Sequence, residues 1–225
     1  DMFLGADVTD LDFTTDAKPE AIQQVLTGWA HAQWDIGAAF GTIGARYGDW
    51  TVEITTYRDE KYDPASRKPE VVFGTELVED LRRRDFTVNA MALRLPDFEL
   101  VDPFGGVKAL VAGVLETPGT PEASFSDDPL RMMRAARFAA QLGVTVSDDV
   151  ATAMQEMAGR IEIISAERVR EELVKLMISP TPRHGLELLV HSGIADYVLP
   201  ELPALRESTD DAHRHKDVYQ HSLQV

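Results

Sequence analysis

Polar and apolar positions alternate along Trp50 to Tyr57. Val52, Ile54 and Thr56 fall on one side, and Thr51, Glu53 and Thr55 on the other. That period of two predicts a strand with one buried face. A tight turn at Tyr47-Gly48-Asp49 joins it to a second strand over Gly41 to Arg46. Phe13-Thr14-Thr15 reads as the end of an earlier strand that carries Asp10 and Asp12. Pro19 to Trp29 predicts a helix with Pro19 in its first turn and Asp16 or Lys18 near its start. Residues 58–74 are polar and contain two prolines, and are expected to form a mobile loop. Glu76 to Arg83 reads as a short helix, and residues 91–95 and 99–101 as strands around a turn at Pro96-Asp97.

From about residue 120 the pattern becomes helical. FSDDPLRMMRAARFAAQLG predicts one helix, with Ser126 as N-cap, Pro129 in the first turn and Gly143 as the stop. VSDDVATAMQEMAG predicts a second, between Ser147 and Gly159. SAERVREELVKLMIS predicts a third, its start framed by Ser165 and Arg168, with Val169, Leu173 and Leu176 at helical spacing. TPRHGLELLVHSG predicts a fourth. The chain therefore reads as α+β, a mixed-sheet head followed by an all-helical part, without internal repeats.

Composition narrows the class. The 225 residues are 44% hydrophobic and 27% charged, ordinary for a globular protein with a sizeable core. No apolar run approaches the roughly 18 residues of a membrane span, and no signal peptide is visible. No membrane partner and a cytoplasmic location are expected. The absence of cysteine excludes disulfides, iron–sulfur clusters and Cys-ligated zinc. The chain opens on Asp rather than Met, so the natural start is expected upstream. The net charge of −16 argues against nucleic acid. The arginines cluster, however, at Arg82-Arg83-Arg84, at Arg131, Arg134 and Arg137, and at Arg168 and Arg170. Such clusters are either solvated helix faces or a locally basic cleft in an acidic body.

The sharpest chemical signal is Asp10-Leu11-Asp12. Two carboxylates one residue apart on a strand share a face. They offer hard oxygen ligands suited to Mg²⁺, the minimum for moving a phosphoryl or nucleotidyl group. The same spacing also arises in surface loops. Asp128 and Arg131, one helical turn apart, can reach a common target.

Four segments occur in order: DLD at 10–12, EITTYR at 53–58, RRDFTVNAM at 83–91 and DDPLRMMRAARF at 127–138, with DPFGG at 102–106 and the SAERVREEL helix beside them. Together they resemble the class II tRNA nucleotidyltransferase and bacterial poly(A) polymerase family, in an HD-domain-containing version truncated at both ends. The resemblance implies a polymerase β-like nucleotidyltransferase head over 1–118, a helical neck for nucleotide recognition and RNA binding over 119–200, and the start of an HD-like domain over 201–225. It implies template-independent addition of C, C and A to the tRNA 3′ end from CTP and ATP by two-metal-ion catalysis, with Mg²⁺ as cofactor. Poly(A) addition, an inactive nucleotide- or RNA-binding module and an HD phosphohydrolase are the alternatives.

The resemblance also assigns roles. Asp10, Asp12 and Glu53 are the expected catalytic carboxylates, with Asp10 and Asp12 holding metal. Arg84 is expected on phosphate, Asp85 on a ribose hydroxyl with Asn89 in support, and Asp128 and Arg131 on the base. Arg134 and Arg137 are the remaining expected nucleotide contacts. Asn89 capping a turn, and Arg137 on a drifting helix face, are the plainer readings. His221 would be the first HD metal ligand, but the chain ends before the His-Asp pair such a site needs. Two positions depart from the family pattern. Asp127 stands where Glu is common, and Asp1 falls where a Gly-Gly-x-Val-Arg-Asp phosphate turn should end.

Overall fold

The computed structural model describes residues 10–35, 37, 41–61, 70–205, 219 and 223. The chain divides into two compact units, Asp1–Arg83 and Arg84–Val225.

In the first unit, β1 (Asp10–Thr15) leads into α1 (Pro19–Leu26), followed by β2 (Ala32–Trp34), β3 (Thr42–Tyr47) and β4 (Trp50–Thr56). These strands form one mixed sheet in the order β1-β4-β3-β2. β1 runs parallel to β4, and the other pairs are antiparallel. The register places Leu11, Phe13, Val52, Ile54, Ile43 and Ala45 on one face. Ile22 and Leu26 of α1 pack there against Ile43 and Ala45. Each such burial contributes about 1.5–3 kcal/mol for a large aliphatic side chain. The cover is partial. Phe13, Val25, Trp29, Tyr47 and Trp50 stay exposed around a groove of about 510 Å³.

The opposite face is polar. It carries Asp10, Asp12 and Thr14 on β1, Thr51, Glu53 and Thr55 on β4, and Thr42 on β3. Thr42 and Thr55 bond through their hydroxyls at 3.0 Å. β2 escaped the sequence pattern because its three residues are too few to show a period. Trp34 of β2 pairs with Gly44, and a side chain at Gly44 would lie inside the Trp34 indole. Gly44 is thus required by close approach rather than by backbone conformation.

The segment expected to be a mobile loop is partly ordered. Arg58–Lys61 (β5) pairs antiparallel with Glu70–Phe73 (β6). Val71, Val72 and Phe73 are strong strand formers that the polar average of residues 58–74 concealed. Residues 62–69 lie outside the described residues. The predicted short helix is α2 (Leu77–Arg82), with Leu81 buried and Asp80 beside it.

The second unit starts with a 3₁₀ turn, Thr87–Asn89, and the hairpin β7 (Ala92–Arg94) and β8 (Glu99–Val101). Asp102 then caps α3 (Gly106–Ala112), accepting from the N–H groups of Gly106 at 2.6 Å and Val107 at 3.0 Å. β9 (Val114–Leu115) pairs with β10 (Thr145–Val146). Around them lie α4 (Pro121–Asp127), α5 (Leu130–Leu142), α6 (Asp148–Met157), α7 (Ala166–Met177), α8 (Pro182–His191) and the short α9 (Ala195–Val198) and α10 (Glu201–Ala204). Their core includes Phe125, Met132, Met133, Met154, Leu176, Leu189 and Ile194, all fully buried.

Two helix boundaries differ from expectation. The helix predicted across residues 125–143 is two helices. Asp128 is extended, at φ −143° and ψ 101°, between α4 and α5. Its neighbour Pro129 disfavours helical geometry in the residue before it. Ser126 therefore lies inside α4, and Thr120 caps that helix by accepting from Ala123. Gly143 does stop α5, at φ 66°. Gly159 does not stop α6, because a 3₁₀ segment continues over Ala158–Ile163. Ser147 caps α6 as its position suggests. Among the described residues no helix is long and apolar enough to cross a membrane.

Candidate active site

In the first unit the parallel register sets Asp12 opposite Glu53 and Asp10 opposite Thr51. Neighbouring strands lie about 4.8 Å apart and paired side chains share a face. Asp10, Asp12 and Glu53 therefore form one exposed acidic row on the polar face. Among the described residues no three carboxylate or imidazole groups converge closely enough to enclose a cation. An open row of hard oxygens fits Mg²⁺, which keeps several waters and is usually held by one or two carboxylates together with substrate phosphates. Trp34 lies on this same face, in the place a side chain at Gly44 would take, beside the paired Glu53.

In the second unit Asp85 is a buried hub. Its Oδ2 accepts from Nη2 of Arg134 at 2.6 Å and from Nε at 2.7 Å. Its Oδ1 accepts from Nδ2 of Asn89 at 3.0 Å and from the Phe86 N–H at 2.8 Å. Asp85, Asn89 and Arg134 thus meet, as three of the residues singled out in the sequence. Arg84 is exposed beside them in the chain.

Asp128 owes its place to the break before Pro129. Its Oδ1 accepts at 3.1 Å from the N–H of Leu130, the first residue of α5. Its Oδ2 accepts from Nη2 of Arg168, on α7, at 2.8 Å. Arg131 is anchored on the end of α4, its Nη1 donating to Oγ of Ser124 at 2.9 Å. The two are not on one helix, as their spacing suggested. Asp128 precedes α5 and Arg131 lies in its first turn.

Arg137 goes elsewhere. It is nearly buried, and its Nε donates to Oε2 of Glu172 at 2.5 Å and its Nη1 to Gln141 at 2.7 Å. Its guanidinium also covers the Phe138 ring at 4.0 Å. Arg137, expected from the sequence as a nucleotide contact, is engaged here by Glu172, Gln141 and Phe138. Each three-residue step rotates a helix position by about 60° from its predecessor, which carries Arg137 round to α7. The sequence reading missed Asp80, Ser124 and Glu172. Asp80 could have been found as a carboxylate beside the apolar stripe of Leu77 and Leu81 on a short helix. His221 lies outside the described residues.

A mixed sheet with an acidic row, followed by a helical body, defines a polymerase β-like nucleotidyltransferase fold. Residues 1–116 match the Poly A polymerase head domain, and residues 143–205 the probable RNA and SrmB-binding site of polymerase A. The chain belongs to the poly A polymerase head-domain family. It is 38% identical over 212 residues to the CCA-adding enzyme of Geobacillus sp. (strain WCH70), covering 94% of this chain and 50% of that protein. It is 36% identical to the CCA-adding enzyme of Bacillus subtilis (strain 168), covering 90% and 49%. The Bacillus stearothermophilus CCA-adding enzyme, solved in complex with CTP, superposes with a TM-score of 0.77 at 34% identity, over 88% of this chain and 47% of that one. A tRNA nucleotidyltransferase complexed with a primer tRNA and an incoming ATP analog gives a TM-score of 0.74 at 27% identity, over 92% and 61%. The chain spans about half the length of the curated relatives it matches.

The narrower designation, a class II, HD-domain-containing version, does not stand. The matching models and relatives are a poly A polymerase head, a polymerase A RNA-binding segment and CCA-adding enzymes. The chain is placed in the CCA-adding enzyme and poly(A) polymerase family without that qualification.

Proposed function

We propose that this chain carries the nucleotide-transferring and base-selecting parts of an enzyme that adds C, C and A to the 3′ end of tRNA from CTP and ATP. The observation that carries the reading is the register of Asp12 against Glu53, which puts three carboxylates on one open face. The relatives named as CCA-adding enzymes, and the solved complexes with CTP and with a primer tRNA and ATP analog, support the same substrates.

Asp10 and Asp12 would hold Mg²⁺, with Glu53 beside Asp12 on the same open face. Bound there, the ion would lower the pKa of the attacking 3′-hydroxyl and neutralise the triphosphate and departing pyrophosphate. Arg84 would pair with phosphate through its planar fork. Asp85, held in place by Asn89 and Arg134, would select the ribose through its 2′-hydroxyl. Asp128 would accept from N4 of cytosine or N6 of adenine, while Arg131 donates to the ring nitrogen. Uracil and guanine would leave these groups wrongly paired, a mismatch worth strong discrimination. The protein then serves as the template.

The test offers the full-length protein a tRNA lacking its 3′ CCA, with Mg²⁺ and labelled CTP and ATP. An ordered C, C, A product is expected. A long A tail would favour poly(A) addition, the reading that the matched head-domain family also admits. No incorporation would return the chain to a binding role.

A further inference from the structure

One buried carboxylate has no part in this chemistry. Asp80, on α2, is only 3% exposed. Its Oδ2 accepts from Oγ1 of Thr14 at 3.3 Å, and its Oδ1 accepts from the backbone N–H of Arg58 at 3.2 Å. Thr14 follows Asp10 and Asp12 on the same face of β1. Thr14 also pairs with Thr55, whose hydroxyl bonds Thr42. Arg58 is the first residue of β5, where the β5–β6 hairpin leaves the sheet. A single side chain thus ties together α2, the strand of the acidic row and the base of a hairpin.

The tie has a mechanical purpose. Among the described residues β1 is the edge of the sheet, held on one side by β4. A slip of one residue would turn Asp10 and Asp12 to the apolar face. Burying a carboxylate is unfavourable unless it is bonded, so any slip that breaks the bonds from Thr14 and Arg58 is penalised at Asp80. We propose that Asp80 is a positioning residue for the acidic row: through Thr14 it fixes the face and register of β1, and through the Arg58 N–H it fixes β1 against the β5–β6 hairpin. This rests on the reading of Asp10 and Asp12 as the metal-holding pair.

The test compares full-length wild type with Asp80→Ala, Asp80→Asn, Thr14→Val and Asp12→Ala. Mn²⁺ affinity is measured by electron paramagnetic resonance, folding by circular dichroism, and CTP incorporation as a function of Mg²⁺. Loss of a group that orients metal ligands weakens metal binding about tenfold, so Asp80→Ala is expected to bind Mn²⁺ about that much more weakly and to need more Mg²⁺, with the KM for CTP nearly unchanged. Asp80→Asn keeps an acceptor for the Arg58 N–H and is expected to restore most of the affinity. Thr14→Val removes the bond from Thr14 alone and is expected to weaken Mn²⁺ binding in the same direction by less. It carries the test if Asp80→Ala does not fold. Wild-type Mn²⁺ affinity in folded Thr14→Val and Asp80→Ala would overturn the proposal, as would an Asp80→Asn no better than Asp80→Ala. The outcome of Asp12→Ala separates the two levels. Undiminished Mn²⁺ binding and turnover there would sink the metal reading itself. Loss of both, with Asp80→Ala and Thr14→Val intact, would sink only the positioning role.

Discussion

Arg137 and Glu172 meet at 2.5 Å between α5 and α7, with side chains 11% and 6% exposed. The pair joins the helix that follows Asp128 to the helix that sends Arg168 to it. Removing one partner of a buried ion pair strands the other, at a cost of about 3–5 kcal/mol. Arg137→Ala and Glu172→Ala should each lower unfolding stability by about that much in urea denaturation. The double variant Arg137→Met with Glu172→Leu should lose less than either single change, because no charge is left alone. Equal losses in all three would mean the pair contributes only its packing volume.

Gly44 and Trp34 make a second requirement. A methyl group at residue 44 has no room beside the indole. Overpacking of this kind costs about 1–3 kcal/mol. Gly44→Ala should lower the melting temperature of the protein, and Trp34→Ala in the same chain should relieve part of the loss. A stable Gly44→Ala single variant would show that the indole moves aside freely.

Pro129 holds Asp128 out of the helix. Pro129→Ala removes the restriction on the preceding residue and permits α4 and α5 to join. The choice of CTP and ATP over UTP and GTP should then fall further than stability does. Selectivity measured from kcat/KM for the four nucleotides, beside a denaturation curve, decides between this outcome and a purely structural effect on folding.

Arg131 and Asp128 are expected to set that choice directly. Leaving one member of a hydrogen-bonding pair without its partner costs about 1–3 kcal/mol, roughly a 5- to 150-fold loss of discrimination. Arg131→Ala should admit UTP and GTP relative to CTP and ATP by a factor in that range. Unchanged ratios would refute selection by these side chains.

The strand of Asp10 and Asp12, the hairpin of Gly48 and the caps at Ser147 and Gly143 were legible in the sequence. Each depends on a local rule: period two, turn residues, or a terminal side chain. What was not legible depends on neighbours distant in sequence. β2 is too short to show a period and is defined by its pairing with β3. Asp80 could be read as lying beside the stripe of Leu77 and Leu81, but its partner Thr14 lies 66 residues away. Arg137 looked like a continuation of Arg131 and Arg134, and only Glu172, 35 residues on, explains its burial. The break at Asp128 was within reach. The rule for residues before proline predicts it, but an N-cap at Ser126 and Pro129 in a first turn fitted the same letters. The acidic row was the more secure part of the site, because parity along a strand fixes which residues share a face.

The most direct measurement is single-turnover addition of labelled CMP to a tRNA lacking its CCA end, by full-length wild type, Asp10→Ala and Asp12→Ala, at saturating Mg²⁺. Asp10 and Asp12 lie exposed on their strand, so both variants should fold as wild type does. Addition should fall by about a hundred- to a thousandfold, the scale on which lost electrostatic stabilisation of a transition state acts. Wild-type rates in both variants would contradict the assignment of this face to catalysis.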